Sequence, residues 1–144
     1  MIAVDTNILV YAHREDSVWH DAAYACMTEL AQGRDAWAIP WPCVHEFLAI
    51  VTHPRIYTPP TRLERALDQV QAWTESPSLV LLCEAEDHWQ HLRALLRSAR
   101  ASGAKVHDTR VAALCMANDI AELWTADRDF SHFPRLRTRN PLVP

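Results

Sequence analysis

The spacing of apolar positions changes several times along the chain, and each change marks a new element. Met1–Val4 is a short apolar run suited to a strand, and it stops abruptly at Asp5. Asn7–His13 reads as one or two helical turns. Over Val18–Ala31 the side chains Trp19, Ala22, Ala23, Cys26, Met27 and Leu30 recur at three- and four-residue intervals, which predicts an amphipathic helix. Ala36–Ile39 is a second short strand, closed by Pro40. Pro42 suits the first turn of the next helix, which runs to His53 before Pro54 ends it.

Tyr57–Pro60 reads as a loop. Thr61, with Glu64 three residues on, has the form of a capping box opening a helix that reaches Trp73. Leu79–Cys83 is an unbroken aliphatic run between Pro77 and Glu84, the pattern of a strand covered on both faces. Asp87–Ala101 and Asp108–Ala117 are helical, the second with Val111, Leu114 and Cys115 facing inward. Leu123–Thr125 is a strand leading to Asp127, and Leu136–Arg137 a last edge strand. Alternating strands and helices imply an α/β fold with right-handed crossovers, a central, mostly parallel sheet and helices on both faces. No repeat or linker-like stretch interrupts the pattern, so 1–144 reads as a single domain.

Hydrophobic residues make up 49% of the chain and charged residues 22%, an ordinary balance for a globular protein. No uncharged apolar stretch approaches the ~20 residues that span a bilayer, and no basic segment precedes an apolar one at the start. The expectation is a cytoplasmic protein without membrane contact. Cys26, Cys43, Cys83 and Cys115 lie far apart among apolar neighbours, and read as reduced core thiols. The formal net charge of −4 weighs against nucleic-acid binding by charge alone. Lys105 is the single lysine, so cationic contacts fall to arginine forks. Two glycines are too few for a glycine-rich phosphate loop.

In a parallel sheet, ligands bind beyond the carboxyl ends of the strands. Asp5 and Asp127 each follow a strand at that edge. Asp108 begins a helix that faces the same rim, and Glu46 lies in the helix after the second strand. Clustered carboxylates repel and raise one another's pKa unless a cation compensates. Hard ions such as Mg²⁺ take carboxylates, water and substrate phosphate as ligands, and pairs of them support phosphodiester cleavage. Each acid also has a plainer reading: Asp108 as a helix N-cap, Glu46 as a solvated glutamate, and Asp127 with Asp129 as a polar turn around Arg128. Asp5 resists such a reading, since a carboxylate ending a buried strand is costly without a partner. Repulsion alone predicts that Asp5→Asn leaves the fold intact or more stable.

Four segments carry a resemblance: AVDTNILVYA within Ile2–Ala12, HEFLAIVTHPRIY at His45–Tyr57, VHDTRVAAL at Val106–Leu114, and TADRDFSHFPRLRTRNPL at Thr125–Leu142. In this order and spacing they resemble the PIN-domain family, and more closely the VapC-type toxins of bacterial toxin–antitoxin pairs. The resemblance implies a three-layer α/β/α domain, dependence on Mg²⁺ or Mn²⁺, hydrolysis of RNA, a homodimer, and a cognate antitoxin. It assigns the catalytic and metal-binding acids to Asp5, Glu46, Asp108 and Asp127. Asp129 is an auxiliary acid, and Thr6, Asn7 and Thr125 are supporting hydrogen-bonders. In the implied mechanism Asp5, Asp108 and Asp127 hold an ion, and Glu46 binds a second or orients the attacking water. Arg128, Arg135, Arg137 and Arg139 are candidate contacts to RNA phosphates. Trp19, Trp41 and Tyr57 either stack bases or pack in the core.

Rival classes fit less well. A haloacid-dehalogenase phosphatase needs an aspartate where Asn7 stands, and a receiver domain needs a lysine after a late strand, which Lys105 is not. A metal-free ribonuclease using two histidines remains open with eight present, His107 beside Asp108 among them. So does a catalytically silent module that binds RNA or antitoxin.

Overall fold

The computed structural model describes residues 1–144. Five strands, β1 (Ile2–Val4), β2 (Trp37–Pro40), β3 (Leu79–Leu82), β4 (Glu122–Trp124) and β5 (Thr138–Arg139), form one sheet in the order β3-β2-β1-β4-β5. Every neighbouring pair is parallel. Between them lie α1 (Thr6–His13), α2 (His20–Gln32), α3 (Trp41–Val51), α4 (Leu63–Thr74), α5 (His88–Ala99) and α6 (Lys105–Ala117). The chain moves from β1 to β2 to β3 in one direction and then crosses back over the sheet to β4. With right-handed crossovers this places α1–α4 on one face and α5–α6 on the other. The packing agrees, since α1 lies on α2 and α3, and α5 on α6.

One apolar cluster fills both sides of the sheet. Val4, Trp37, Ile39, Leu82 and Leu123 contribute from the strands, Ile8, Leu9, Phe47 and Leu114 from the helices, and Phe130 and Leu136 from the segment before β5. Full burial of such side chains stabilises by about 1.5–3 kcal/mol each. β1 is central and only three residues long, so its apolar run ends where the helix of Thr6 must begin. That puts Asp5 at the carboxyl edge of the sheet.

Several expectations change. Thr61 does not open a capping box. Its hydroxyl is occupied by His13 and Arg14, its N–H donates to Val51 O, and α4 starts after Arg62 without a side-chain cap. The aliphatic run Leu79–Cys83 is an edge strand, with Val80 39% exposed, because the crossover to β4 leaves its outer side unpaired. Cys83, just beyond it, is exposed rather than a core thiol. The last strand forms at Thr138–Arg139, since Leu136 is drawn into the core beside Phe133 and Phe130. Trp19 lies before α2 instead of on its inner stripe, and is 41% exposed. The Asp108 helix starts earlier, at Lys105. The chain reverses through Arg100 and Gly103, both at positive φ, and Lys105 N–H to Ser102 O begins the first turn. Asp108 is therefore inside the first turn and is no N-cap.

Candidate active site

The carboxyl ends of β1, β2 and β4 form one rim. The β1–β2 register sets Asp5 beside Pro40, and Asp5 N–H donates to Trp124 O at 3.0 Å, so Asp5 also borders the end of β4. The buried Asp5 carboxylate is fully engaged. Its Oδ1 accepts from Thr6 N–H at 2.8 Å and from the Cys43 thiol at 3.6 Å. Its Oδ2 accepts from the Thr125 hydroxyl at 2.7 Å and from Asn7 Nδ2 at 3.4 Å. Burial pushes its pKa up, the Thr125, Thr6 and Cys43 hydrogen bonds pull it down, and the charge of Glu46 pushes it up again. Burial and the Asp5 charge hold Cys43 well above the usual thiol range, so its S–H stays a donor.

Thr125 is the hub of the site. While donating to Asp5, its hydroxyl accepts from Asp127 N–H at 3.0 Å and from Asn7 Nδ2 at 3.1 Å. Asn7 Oδ1 accepts from Ala126 N–H at 3.1 Å. Asp127 in turn caps the 3₁₀ turn Arg128–His132, accepting from Asp129 N–H at 2.8 Å. The Asp-Thr-Asn segment and the Thr-Ala-Asp segment are thus one hydrogen-bonded unit.

Asp108, Asp127 and Asp129 each offer a carboxylate oxygen, all within 4.8 Å of one another. Asp108 makes no hydrogen bond or ion pair. Burial first, then the charges of Asp127, Asp5, Asp129 and Glu46, raise its pKa to about 6. Glu46 is exposed on α3 and accepts from Thr6 Oγ1 at 3.1 Å. No arginine, lysine or histidine forms an ion pair with any of these five acids. Oxygen donors crowded without a counter-charge fit a hard divalent cation.

All the acids proposed from the sequence lie on this rim, with Asp129 in the tight trio and Asp5 beneath it. Cys43 is the buried thiol expected, but it is also a donor to Asp5, and its place in the first turn after β2, alongside Asp5, is the sequence signal for that contact. Two arginines are misplaced for phosphate contact here. Arg137 pairs with Glu122 at the amino end of β4, and Arg139 lines a cavity with Met1 and Ile2, again away from the rim. β5 runs parallel to β4 with Thr138 beside Leu123 and Arg139 beside Trp124, so it is the side chains of these arginines, not the register of their backbone, that lead away from the rim.

An all-parallel sheet with acids converging at its carboxyl edge is the design of the PIN domain, and the PIN domain family profile matches residues 2–136. The chain belongs to that family. Within it, the chain groups with the VapC ribonucleases, being 35% identical over 142 residues to Ribonuclease VapC43 of Mycobacterium tuberculosis, across 99% of this chain and 96% of the relative. Two solved structures share the fold. VapBC2 from Rickettsia felis, bound to a DNA fragment of its promoter, superposes with a TM-score of 0.68 at 19% identity, over 96% of this chain and 98% of that one. Mycobacterium tuberculosis VapC20, described as a sarcin–ricin loop cleaving toxin, gives 0.65 at 15% identity over 91% and 93%.

Proposed function

We propose that this chain is a divalent-metal-dependent ribonuclease that acts as the toxin of a toxin–antitoxin pair. The observation that carries the reading is the uncompensated trio of Asp108, Asp127 and Asp129 in a chain related along its length to named VapC ribonucleases. In this reading the trio, with Asp5 beneath it, holds Mg²⁺ or Mn²⁺. The bound ion neutralises the clustered charge and lends Lewis acidity to the scissile phosphodiester.

The chain's own residues divide the remaining work. Thr125 ties Asp5 to the backbone of Asp127, so the two acids keep a set separation as substrate enters. Asn7 fixes the same loop through Ala126. Glu46, exposed on the opposite wall and held by Thr6, is placed to orient a water and take its proton. Hydrolysis by water needs no 2′-hydroxyl nucleophile, so the chemical step makes no demand on the ribose 2′ position. Arg128, next to Asp127 and outside any ion pair, is the arginine best placed for a substrate phosphate. No histidine hydrogen-bonds to any of the five acids, which favours the metal reading over a two-histidine mechanism. The same reading takes in a homodimer, an antitoxin partner and a cytoplasmic setting, with membership of the family as its support. No helix is long and apolar enough to cross a membrane.

The test is cleavage of total cellular RNA by the purified protein. Cleavage is expected with Mn²⁺, to stop with EDTA, and to fall at least a hundredfold in Asp127→Asn. Cleavage that survives EDTA overturns the metal dependence.

A further inference from the structure

The rim that carries the acids is electrically hostile to RNA. The chain is acidic overall, at −4, and Arg110, two residues beyond Asp108, is already committed to Glu84 at 3.0 Å. Substrate held beside such a site gains from contacts that do not depend on charge. Stacking of bases on aromatic side chains is a contact of that kind, and is tolerant of sequence.

An exposed aromatic pair stands on this rim. Trp41 is the first residue of α3, directly after Pro40, which the sheet register sets beside Asp5. Its indole is 37% exposed, unusual for so large an apolar ring at the end of a buried strand. One helical turn on, the exposed imidazole of His45 lies over it, with ring centroids 5.9 Å apart and planes inclined by 33°. His45 precedes Glu46, which Thr6 ties back to the helix that Asp5 begins. The pair therefore shares its helix with Glu46, the one acid of the rim that α3 carries. Neither ring makes a hydrogen bond within the protein. The other aromatics are differently placed: Trp37 and Phe47 are buried, Tyr57 lies under the Arg14 guanidinium, and the exposed Trp19, Tyr24 and Trp89 stand at the start of α2, on α2 and on α5, none of them directly after a strand end that carries an acid.

We propose that Trp41, supported by His45, is a base-stacking subsite for a nucleotide flanking the scissile phosphate of single-stranded RNA; this rests on the ribonuclease reading above. The indole face takes the base. His45 braces the indole from one side, limiting its rotamers, and so acts as a positioning residue. Because every base has a π-face, the subsite adds affinity to any strand and favours unpaired over helical RNA, whose bases are already stacked. Stacking of this kind contributes from about 5-fold to about 150-fold in binding.

The test compares wild type, Trp41→Phe and Trp41→Ala, in Mn²⁺, on a short single-stranded RNA with one cut site. A second series places a single abasic nucleotide at each position around the cut. Thermal melts check that the surface substitutions leave the fold intact. Trp41→Ala should raise KM about tenfold with kcat within twofold, and Trp41→Phe should keep most of the wild-type KM. One abasic position should weaken cleavage by wild type and make no difference to Trp41→Ala. His45→Ala should raise KM by a smaller factor and leave the same abasic position sensitive. Active wild type together with an unchanged KM in Trp41→Ala overturns the subsite alone. So does a Trp41→Ala variant that handles RNA normally but loses its antitoxin, since this face is then a protein interface. Wild type that cleaves no RNA under any metal overturns the ribonuclease reading, and the subsite falls with it.

Discussion

Asp108→Asn should make the metal-free protein more stable at neutral pH, against the usual direction for a substitution at a semi-buried position. The reason is local. Asp108 has no hydrogen bond or ion pair to lose, and four acids bear on it. Its folded-state pKa is raised from an ordinary 3.8 to about 6. A raised carboxyl pKa means that the native state holds its proton more tightly than the unfolded chain. Stability therefore declines as pH rises through the window from about 4 to about 6, and levels off above it. At 1.36 kcal/mol per pH unit the difference comes to about 3 kcal/mol as an upper bound. Asp108 is only half-buried, and solvent screening reduces this to about 1–1.5 kcal/mol. Its place in the first turn of α6 offsets part of that, since an anion there stabilises by about 0.3–1 kcal/mol.

The net cost of desolvation and repulsion relieved by the amide is then about 0.5–1 kcal/mol, or roughly 2–3 °C in melting temperature for a chain of this size. Thermal melts of both proteins in EDTA at pH 8 and at pH 4 supply the assay. The variant should melt higher at pH 8, with the gap closing at pH 4, where Asp108 is protonated in the native state. Saturating Mn²⁺ should invert the order at pH 8. Wild type then gains about 2.7 kcal/mol at a hundredfold excess over Kd, while the variant, short of a ligand, gains less. A variant that melts lower than wild type in EDTA at pH 8 would refute the reasoning, since Asp108 would then be making a structural contact.

The opposite sign is expected one shell deeper. Asp5→Asn sets an amide NH₂ against donors from Thr6, Cys43, Thr125 and Asn7, which should cost about 1–3 kcal/mol. A melting temperature at or above that of wild type in EDTA would show that those donors are dispensable. For the antitoxin, an arginine side chain inserted among the acids would use the same oxygens as the metal, with a fork that cannot lose its charge. Rising Mn²⁺ should therefore weaken antitoxin binding in calorimetry, and the antitoxin should weaken Mn²⁺ binding by the same factor. Affinity independent of Mn²⁺ would place the antitoxin contact away from the acid rim.

The α/β order and the parallel sheet were legible because local periodicity and chain order suffice for them. The rim was legible for a related reason: Asp5 and Asp127 are each tied to the end of a strand, and strand ends on one edge converge. Three things depended on contacts between distant segments and could not be read locally. Thr61 has the form of a cap, yet its hydroxyl is taken by residues of α1. The aliphatic Leu79–Leu82 looks like a central strand, but sheet order makes it an edge. Asp108 follows a stretch that reads as loop, and the reversal through Arg100 and Gly103 starts the helix three residues sooner. Clustered charge also weighs unevenly on the acids: more on Asp108 than on Asp5, whose four donors come from α1, α3 and the loop after β4, segments that only the fold brings together.

That unevenness explains how a small domain can carry five carboxylates on one edge and remain folded. The charge of the other acids bears most on Asp108, while Asp5, desolvated by burial, is held by four neutral donors. One of those donors, Thr125, is itself part of the loop that presents Asp127 and Asp129, and a second, Asn7, is bonded to that loop through Thr125 and Ala126. The Thr125 hydroxyl cannot donate to Asp5 and accept from Asp127 N–H unless both strands end in register. The hydrogen bonds that make the inner acid tolerable therefore also hold two of the outer acids in position before any ion arrives. A site assembled this way does not need the metal for its geometry. A bound cation would instead relieve a strain that the fold keeps local, so removing one outer charge should stabilise the empty protein while disabling the loaded one.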